Sequence, residues 1–488
     1  MRKIIFAAIL PLFLLPACDR WLDINTDPNS PESVPPELSF ASPQLFVAAR
    51  VGGNIFNFAG FFAQYWTQAP TSEQYLKPDT YDVRNEFLDN DYTFLYAGAL
   101  MDLQQLESAA AASGDYGTLL AAVTLKAYTV QELVDLMGMA PYSEALRGIQ
   151  KPMPAWDKGE DVYSALIEEL TQAIAQVEAA PQPVRITEND LLLKGSVAQW
   201  AGFARAVKLK LLMRESGVKS NLPEVTALIA EGKFFSGNVA FSAFAAEPGK
   251  DNPWYETNIV RLSKNHSAAY PIISYLSANA DPRLDVLFYK PDRDSVYRGN
   301  FPGWRDQQGK DGDPTSYSTP KVAQTMPVYL YTQSELQLFI AEAMHKAGDD
   351  AKAQKAYEAA IDSSFALHGL SCAGAQALYG AGGAYAWNPA KAIEQIGMQK
   401  WVALCMVNHA EAYNEVRRLG YPKFSTATAE AIKSNPAAYT SGDLIYPKNS
   451  ALGFGHYVNS LPYPVASSKL NSNTPTALPI TAKVWWNR

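Results

Sequence analysis

Cysteine and histidine are both scarce in this chain of 488 residues, which contains three cysteines and five histidines. Cys18 lies near the N-terminus, and Cys372 and Cys405 alone are too few for the disulfide framework that stabilises many small secreted domains. None of the histidines has a metal-binding spacing such as His-Glu-x-x-His. We therefore expect a fold that depends on its hydrophobic core, and we predict neither a metal nor another cofactor.

Positive charge is also in short supply, because 41 lysines and arginines stand against 49 aspartates and glutamates and give a net charge of −8. Proteins that bind nucleic acid carry basic patches, so nucleic acid is not expected as a partner. Three aspartates crowd a loop that also contains glycine: Asp306, Asp311 and Asp313. They could hold Ca²⁺ through oxygen ligands but lack the order of an EF-hand, so a solvated turn is the preferred interpretation.

Recognisable catalytic motifs are lacking as well. The segment 369–373 resembles a nucleophile elbow around Ser371, but it lacks the last glycine and follows a predicted helix instead of a strand. The segment 318–321 has the Ser-x-x-Lys spacing without the companion motifs of that class. Because no nucleophile or acid–base constellation can be identified, we predict that the protein is not an enzyme.

Long apolar runs are confined to the N-terminus, where Arg2 and Lys3 precede a run from Ile4 to Leu15. A basic start and a short apolar run are typical of a secretory signal peptide, here residues 1–17, and a membrane span would need roughly 20 apolar residues. The sequence before Cys18 fits a bacterial lipobox, which predicts lipidation of this cysteine and a stable membrane anchor. The alternative is an ordinary signal peptide with Cys18 incidental. No later segment is expected to span a membrane.

Helical periodicity dominates the rest of the chain. Thr332 and Glu335 have capping-box spacing, and the apolar residues from Leu336 to Ala347 recur on one helical face before Gly348. A second amphipathic helix begins at Asp349, and the two together have the pattern of a tetratricopeptide-type pair. Further helices are predicted near 125–138, 160–180 and 390–419. Residues 197–213 predict another, with Arg205, Lys208, Lys210 and Arg214 on its polar side.

Two regions lack this periodicity. Residues 236–325 are rich in Gly, Pro, Asp, Asn and aromatic residues, and residues 420–488 are rich in Pro, Ser and Asn. We interpret residues 18–488 as a single, mostly α domain, in which tetratricopeptide-like helical pairs form a scaffold that carries a large loop-rich insertion (236–325) and an irregular C-terminal region (420–488). Loops on a rigid scaffold are where binding residues concentrate.

A set of short segments, in order along almost the whole mature chain, resembles the SusD/RagB family. The segments are 22–29, 133–138, 141–145, 281–284, 334–343, 399–401, 415–422 and 462–464. The resemblance implies a SusD-like outer-membrane lipoprotein of a Bacteroidetes-type cell, facing the cell surface. It also implies a SusC-like TonB-dependent transporter as partner, which receives oligosaccharides or other nutrients from the binding protein.

Recognition of a sugar requires aromatic planes for its C–H face and polar groups for its hydroxyls. Six residues combine an aromatic or polar side chain with a predicted loop: Trp66, Tyr75, Trp254, Tyr255, Arg261 and Trp304. We predict them as ligand-binding residues, with core packing as the alternative for each. The function that follows is the binding of nutrient oligomers, with oligosaccharide favoured and peptide left open. The alternative is a surface-anchored hydrolase of glycans or peptides.

Overall fold

Helices make up most of the computed structural model, which describes residues 39–180, 186, 189–263, 265–305 and 313–487. The signal peptide, Cys18, Asp306 and Asp311 lie outside the described residues. The α-helices are α1 (Ala41–Arg50), α2 (Phe56–Phe62), α3 (Leu76–Asp79), α4 (Asp89–Phe94), α5 (Met101–Ser113), α6 (Tyr116–Met137), α7 (Gly159–Ala179), α8 (Val197–Glu215), α9 (Leu222–Glu231), α10 (Pro253–Tyr255), α11 (Tyr270–Ala278), α12 (Arg283–Leu287), α13 (Gln333–Lys346), α14 (Asp350–Leu367), α15 (Cys372–Tyr379), α16 (Ala392–Leu404), α17 (His409–Leu419), α18 (Ala429–Ser434) and α19 (Val465–Leu470). The predicted mostly helical fold is confirmed.

Short π-helical and 3₁₀ turns extend or connect these helices. The π-helical turns are Val51–Ile55, Leu95–Leu100 and Glu256–Arg261. The 3₁₀ turns are Asn85–Leu88, Gly148–Gln150, Pro314–Ser316, Pro389–Lys391 and Pro436–Ala438.

Strands are short and form antiparallel pairs. They are β1 (Trp66–Gln68), β2 (Met139–Ala140), β3 (Asp157–Lys158), β4 (Val239–Phe241), β5 (His266–Ala268), β6 (Phe288–Tyr289), β7 (Thr319–Pro320) and β8 (Val328–Tyr331). The pairs are β1–β5, β2–β3, β4–β8 and β6–β7. Several of these strands belong to the segment 236–325, which therefore contains short regular elements where the sequence predicted an irregular insertion.

Helices α13 and α14 form the predicted tetratricopeptide-like pair. The Thr332 hydroxyl accepts a hydrogen bond from the Glu335 amide at 3.3 Å, and the Asp349 carboxylate accepts one from the Lys352 amide at 3.1 Å. These side chains satisfy backbone donors at the two helix starts, and Gly348 supplies the left-handed conformation between the helices. The predicted helical pair is confirmed. It could be predicted because capping depends on the local sequence alone.

The helix predicted for 390–419 is in fact two helices, α16 and α17. Met406 has a positive φ of 57°, and the Asn408 side chain accepts a hydrogen bond from the Glu411 amide at 3.1 Å. Asn408 thus caps a new helix in the middle of the apolar periodicity. The chain changes direction there, which a continuous helix could not do.

The cationic side of α8 faces the protein interior. Arg205, Lys210 and Arg214 are buried, because carboxylates on other helices converge on them. The Arg214 guanidinium lies 3.1 Å from Asp135 on α6 and 2.6 Å from Glu411 on α17. The polar side predicted for this helix therefore lies in the interior at these three residues.

The same buried network continues through Lys400 on α16 and Arg418 on α17. The Lys400 ammonium lies 2.5 Å from Glu415, and the Arg418 guanidinium lies 2.5 Å from Glu342 on α13. Burial of so many charges is tolerable only because each has a partner. The network joins helices α6, α8, α13, α16 and α17 into one scaffold.

Among the described residues, one continuous helical run, Ala41–Phe62, is long and apolar enough to cross a membrane by length and composition. The expectation that no later segment has this character was wrong. However, 72% of the apolar window is buried inside the protein, as is usual for a core helix. The run packs against α17 and supports the start of β1.

Candidate ligand-binding face

The pairing of β1 with β5 brings two of the three predicted binding segments together. Trp66 lies opposite Ala268, and Gln68 lies opposite His266. The loop after β1 extends this contact, since Ser72 donates to the Asn265 side chain and the Tyr75 hydroxyl donates to Asn258 Oδ1 at 2.5 Å. Residues far apart in the chain therefore form one continuous surface.

The third predicted segment joins the same surface through two contacts. The Arg305 guanidinium lies 2.8 Å from the Glu73 carboxylate. Beneath it, the buried Asp79 carboxylate accepts hydrogen bonds from the Thr67 hydroxyl at 2.7 Å and from the Gly303 amide at 2.9 Å. Burial raises the pKa of Asp79 to about 7. We call the surface formed by residues 71–77, 255–263 and 304–305 the insertion face.

Gly303 is needed for this arrangement. Its φ is +68°, and a Cβ at this position would lie 2.2 Å from the carbonyl oxygen of Lys448. A side chain would force the backbone of 301–305 away from the C-terminal region, so glycine permits the close approach.

Trp66 and Trp254 lie below the insertion face. Both are fully buried, and their rings stack with centroids 5.0 Å apart. The Trp66 indole nitrogen donates to the Asn57 carbonyl oxygen at 3.0 Å, and that of Trp254 donates to the Asn57 side-chain oxygen at 3.0 Å. Neither ring offers a face to a ligand, which corrects the prediction for these two residues in favour of core packing.

Trp304 is also buried, with 6% of its surface exposed. It packs against Ile432 and Ile445, and the ammonium groups of Lys433 and Lys448 lie 4.4 and 3.9 Å from its ring centroid. The ring is thus covered by apolar and cationic side chains. It fixes the insertion to the C-terminal region. The prediction that Trp304 contacts a ligand is therefore corrected in favour of core packing.

Tyr75, Tyr255 and Arg261 are the predicted residues that reach the surface. Both tyrosines are half-buried and Arg261 is exposed. Burial raises the pKa of Tyr75 to about 12, so its hydroxyl stays protonated. The Arg261 side chain contacts Glu256 at 2.9 Å and remains accessible to an acceptor on a ligand.

A concavity that the sequence did not suggest adjoins the insertion face. We call it the charged cleft; its volume is about 510 Å³, and its lining includes Arg50, Asn54, Lys77, Asp82, Arg84, Phe87 and Asp91. Lys77 belongs to both surfaces. In the sequence, the charged residues between 77 and 86 have the pattern of an ordinary solvated loop. Only the fold places Arg50 and Asn54 beside them.

Asp91 forms the buried floor of the charged cleft. Its Oδ2 accepts a hydrogen bond from Asn54 at 2.6 Å, whereas Oδ1 has no hydrogen-bond partner within the described chain. Arg50 lies 4.0 Å away. Burial raises the pKa of Asp91 to about 6. An acceptor oxygen of this kind suits a donor hydroxyl on a ligand.

The residues weighed for catalysis or metal binding have structural contacts. Ser371 caps α15 by accepting a hydrogen bond from the Gly374 amide at 3.3 Å, after the end of α14. Asp313 caps the turn at Pro314–Ser316 by accepting one from the Thr315 amide at 2.9 Å. Within the described ranges, no group of three His, Cys, Asp or Glu side chains is placed to hold a metal ion.

The architecture is that of a helical protein with tetratricopeptide-like pairs and a loop-built face. Residues 28–447 match the SusD-like family described as "Starch-binding associating with outer membrane". This match covers most of the chain, and the protein therefore belongs to the SusD-like family. No curated protein matches the sequence.

Solved structures share the fold. A chitin-binding protein is 21% identical, with a TM-score of 0.73 over 93% of this chain and 100% of its own. A chitin-binding SusD homologue from Flavobacterium johnsoniae is 19% identical, with a TM-score of 0.74 over 93% of this chain and 98% of its own. A SusD/RagB family protein from Bacteroides thetaiotaomicron is 20% identical, with a TM-score of 0.72 over 93% of this chain and 99% of its own.

Proposed function

We propose that this protein is a lipid-anchored binding protein of the outer membrane, which captures oligosaccharides at the cell surface and passes them uncleaved to a SusC-like TonB-dependent transporter. Family membership is the observation that carries the proposal, because the family description names starch binding and association with the outer membrane. The chitin-binding relatives favour an oligosaccharide over a peptide as the ligand. Cys18 is the proposed site of lipidation.

The insertion face is the proposed ligand site. Tyr75 and Tyr255 supply half-buried rings for the C–H face of a sugar, and Arg261 supplies charged donors for hydroxyl oxygens. Beneath these side chains, the buried Trp66–Trp254 stack holds the loops in place. Ligand binding therefore requires little ordering of the loops. The adjoining charged cleft extends the surface for a longer chain.

The test is isothermal titration calorimetry with chitohexaose and maltohexaose. We expect at least one of these oligomers to bind the wild type, and Arg261→Ala to raise its Kd about tenfold, because a charged hydrogen bond contributes about 1.5 kcal/mol. Arg298→Ala is the matched control: this arginine also lies in the insertion and pairs with an exposed carboxylate, that of Asp294 at 3.2 Å. Equal affinity of Arg261→Ala and wild type would exclude Arg261 from the site, and absence of binding by both oligomers would refute oligosaccharide capture.

Two further measurements address catalysis and anchoring. Prolonged incubation with either hexaose should leave its length unchanged in chromatography, whereas the appearance of shorter products would support the hydrolase alternative. Cys18→Ser should move the protein from the membrane fraction to the soluble fraction of the producing cell. Retention of this variant in the membrane would argue against a lipid anchor at Cys18.

A further inference from the structure

A second cleft lies away from the insertion face and the charged cleft, and it shares no lining residue with either. Its volume is about 350 Å³, and it lies among the end of α11, the start of α16 and the loops at 384–391, 421–423 and 440–443. Small-molecule sites have volumes of roughly 300–1,000 Å³. We call it the tyrosine cleft.

The walls of the tyrosine cleft are aromatic and firmly held. The rings of Tyr275 and Tyr385 lie nearly parallel, at 13°, with centroids 6.0 Å apart. The Tyr385 hydroxyl donates to the buried Asp281 carboxylate at 2.8 Å, and Arg283 holds that carboxylate at 2.7 Å. A half-buried Tyr421 also lines the cleft. Tyr385 is 2% exposed and backs Tyr275, so the half-buried rings of Tyr275 and Tyr421 are the ones that a ligand can reach.

The charged side chains of the tyrosine cleft have few close partners among the described residues. The side chains of Lys391, Glu394, Lys423 and Asp443 make neither a hydrogen bond nor an ion pair with another described residue, although the Lys423 ammonium lies 5.0 Å from the Tyr421 ring centroid. Burial raises the pKa of Asp443. Two cations and two carboxylates in one cleft suit neither a simple anion nor a simple cation. They suit a ligand whose hydroxyls both donate and accept hydrogen bonds.

Asn279 adds a neutral acceptor to this set. Its amide nitrogen donates to the Tyr275 carbonyl oxygen at 2.8 Å, which fixes the side chain at the lining of the cleft. Aromatic walls with a rim of fixed donors and acceptors are the two features that recognition of a sugar ring needs.

We propose that the tyrosine cleft is a second saccharide-binding site, which takes the end of a neutral oligosaccharide. The ligand class rests on the proposed function, whereas the location does not. One hydrophobic cluster contains both Trp304 of the insertion face and Tyr439, whose hydroxyl donates to the Asp443 carbonyl oxygen at 2.6 Å. The protein therefore binds two oligosaccharide segments.

The experiment uses the hexaose that binds the wild type in calorimetry. We expect two equivalents per wild-type chain, and in the double variant Lys423→Ala/Asp443→Ala we expect the Kd of one of the two sites to rise by about tenfold or more. The control is Glu247→Ala/Lys250→Ala, which also removes one charge of each sign from an exposed pair and should retain two equivalents.

Crystals soaked in the same hexaose provide an independent readout. Sugar density in the tyrosine cleft of the wild type, and its loss in the double variant, support the proposal. One equivalent bound by the wild type, undiminished binding by the cleft variant, or density confined to the insertion face overturns it while leaving the proposed function intact. Failure of both hexaoses to bind anywhere overturns the proposed function and this site together.

Discussion

The buried charge network makes a sharp prediction for Arg214→Met. The guanidinium on α8 contacts Asp135, Glu411 and Glu415, and the exposed fraction of every side chain in this group is at most 3%. Methionine keeps part of the apolar stem but leaves three buried carboxylates without their shared cation. Removing one partner of a buried ion pair costs about 3–5 kcal/mol, and we expect a loss of that size in the free energy of unfolding at pH 7.

Arg205→Met is the matched control. Arg205 lies on the same helix and its side chain is equally buried, at 3% exposure, but its partners Glu178 and Glu231 are 45% and 46% exposed. Water can solvate these carboxylates after the substitution, so the expected loss is about 1 kcal/mol. The comparison separates two costs in the free energy of unfolding: that of leaving the partner carboxylates buried and that of losing the arginine itself.

Urea unfolding followed by circular dichroism measures both losses. The free energy of unfolding is obtained by linear extrapolation, and an unchanged slope verifies that the same surface becomes exposed in each variant. We expect Arg214→Met to lose about 2–4 kcal/mol more than Arg205→Met. Equal losses would refute the reasoning that the burial of the carboxylates determines the cost.

Two further substitutions test the remaining energetic claims. The Glu132 carboxylate has no hydrogen-bond partner in the described part of the chain, and burial raises its pKa to about 8. Between pH 5 and 8 the folded state keeps a proton that the unfolded state has lost, so wild-type stability falls as the pH rises. Glu132→Gln should therefore gain about 3.5 kcal/mol relative to wild type from pH 5 to 8 in urea titrations, and a pH-independent difference would contradict this. Gly303→Ala should cost about 2 kcal/mol or more, because it adds a clash with Lys448 to the strain of a positive φ. Gly249→Ala, at φ +78° with no neighbour within 4 Å, should cost about 1 kcal/mol, and equal melting temperatures of the two variants would exclude the clash.

The scaffold could be predicted because its signals are local. Thr332 and Asp349 cap α13 and α14 through side chains only three residues from the amides they satisfy. Apolar periodicity between the caps then fixes which side of each helix is buried. The break between α16 and α17 shows the limit of periodicity, since Asn408 interrupts a run that would otherwise predict one helix.

The interior charges could not be predicted from the sequence. Arg205, Lys210 and Arg214 follow the spacing of a polar helix side, and such a side is usually solvated. Their burial depends on carboxylates contributed by helices up to about 200 positions away, as in the contact between Arg214 and Glu411. No local pattern carries that information.

The candidate site was predicted in part, for the same reason. The sequence selected three loop segments that do meet at the insertion face, but it selected their tryptophans as the contacts. In segments without periodicity, the direction of a side chain is set by strand pairing, and the β1–β5 pairing places the Trp66 ring inside. The charged neighbour Arg261 remains outside because burial of its guanidinium would cost more than burial of an indole with one satisfied donor.

The inward tryptophans and the outward polar residues serve one arrangement. A binding surface made of loops retains its shape only if the loops are anchored by buried contacts. The stack of Trp66 on Trp254 and the enclosure of Trp304 by Lys433 and Lys448 provide such anchors on two sides of the insertion. In the proposed site, the large aromatic side chains would hold the backbone, and the more exposed polar side chains would contact the ligand. An aromatic-rich insertion in a protein of this fold is thus evidence for an ordered face, and the contacts on that face must be identified from exposure.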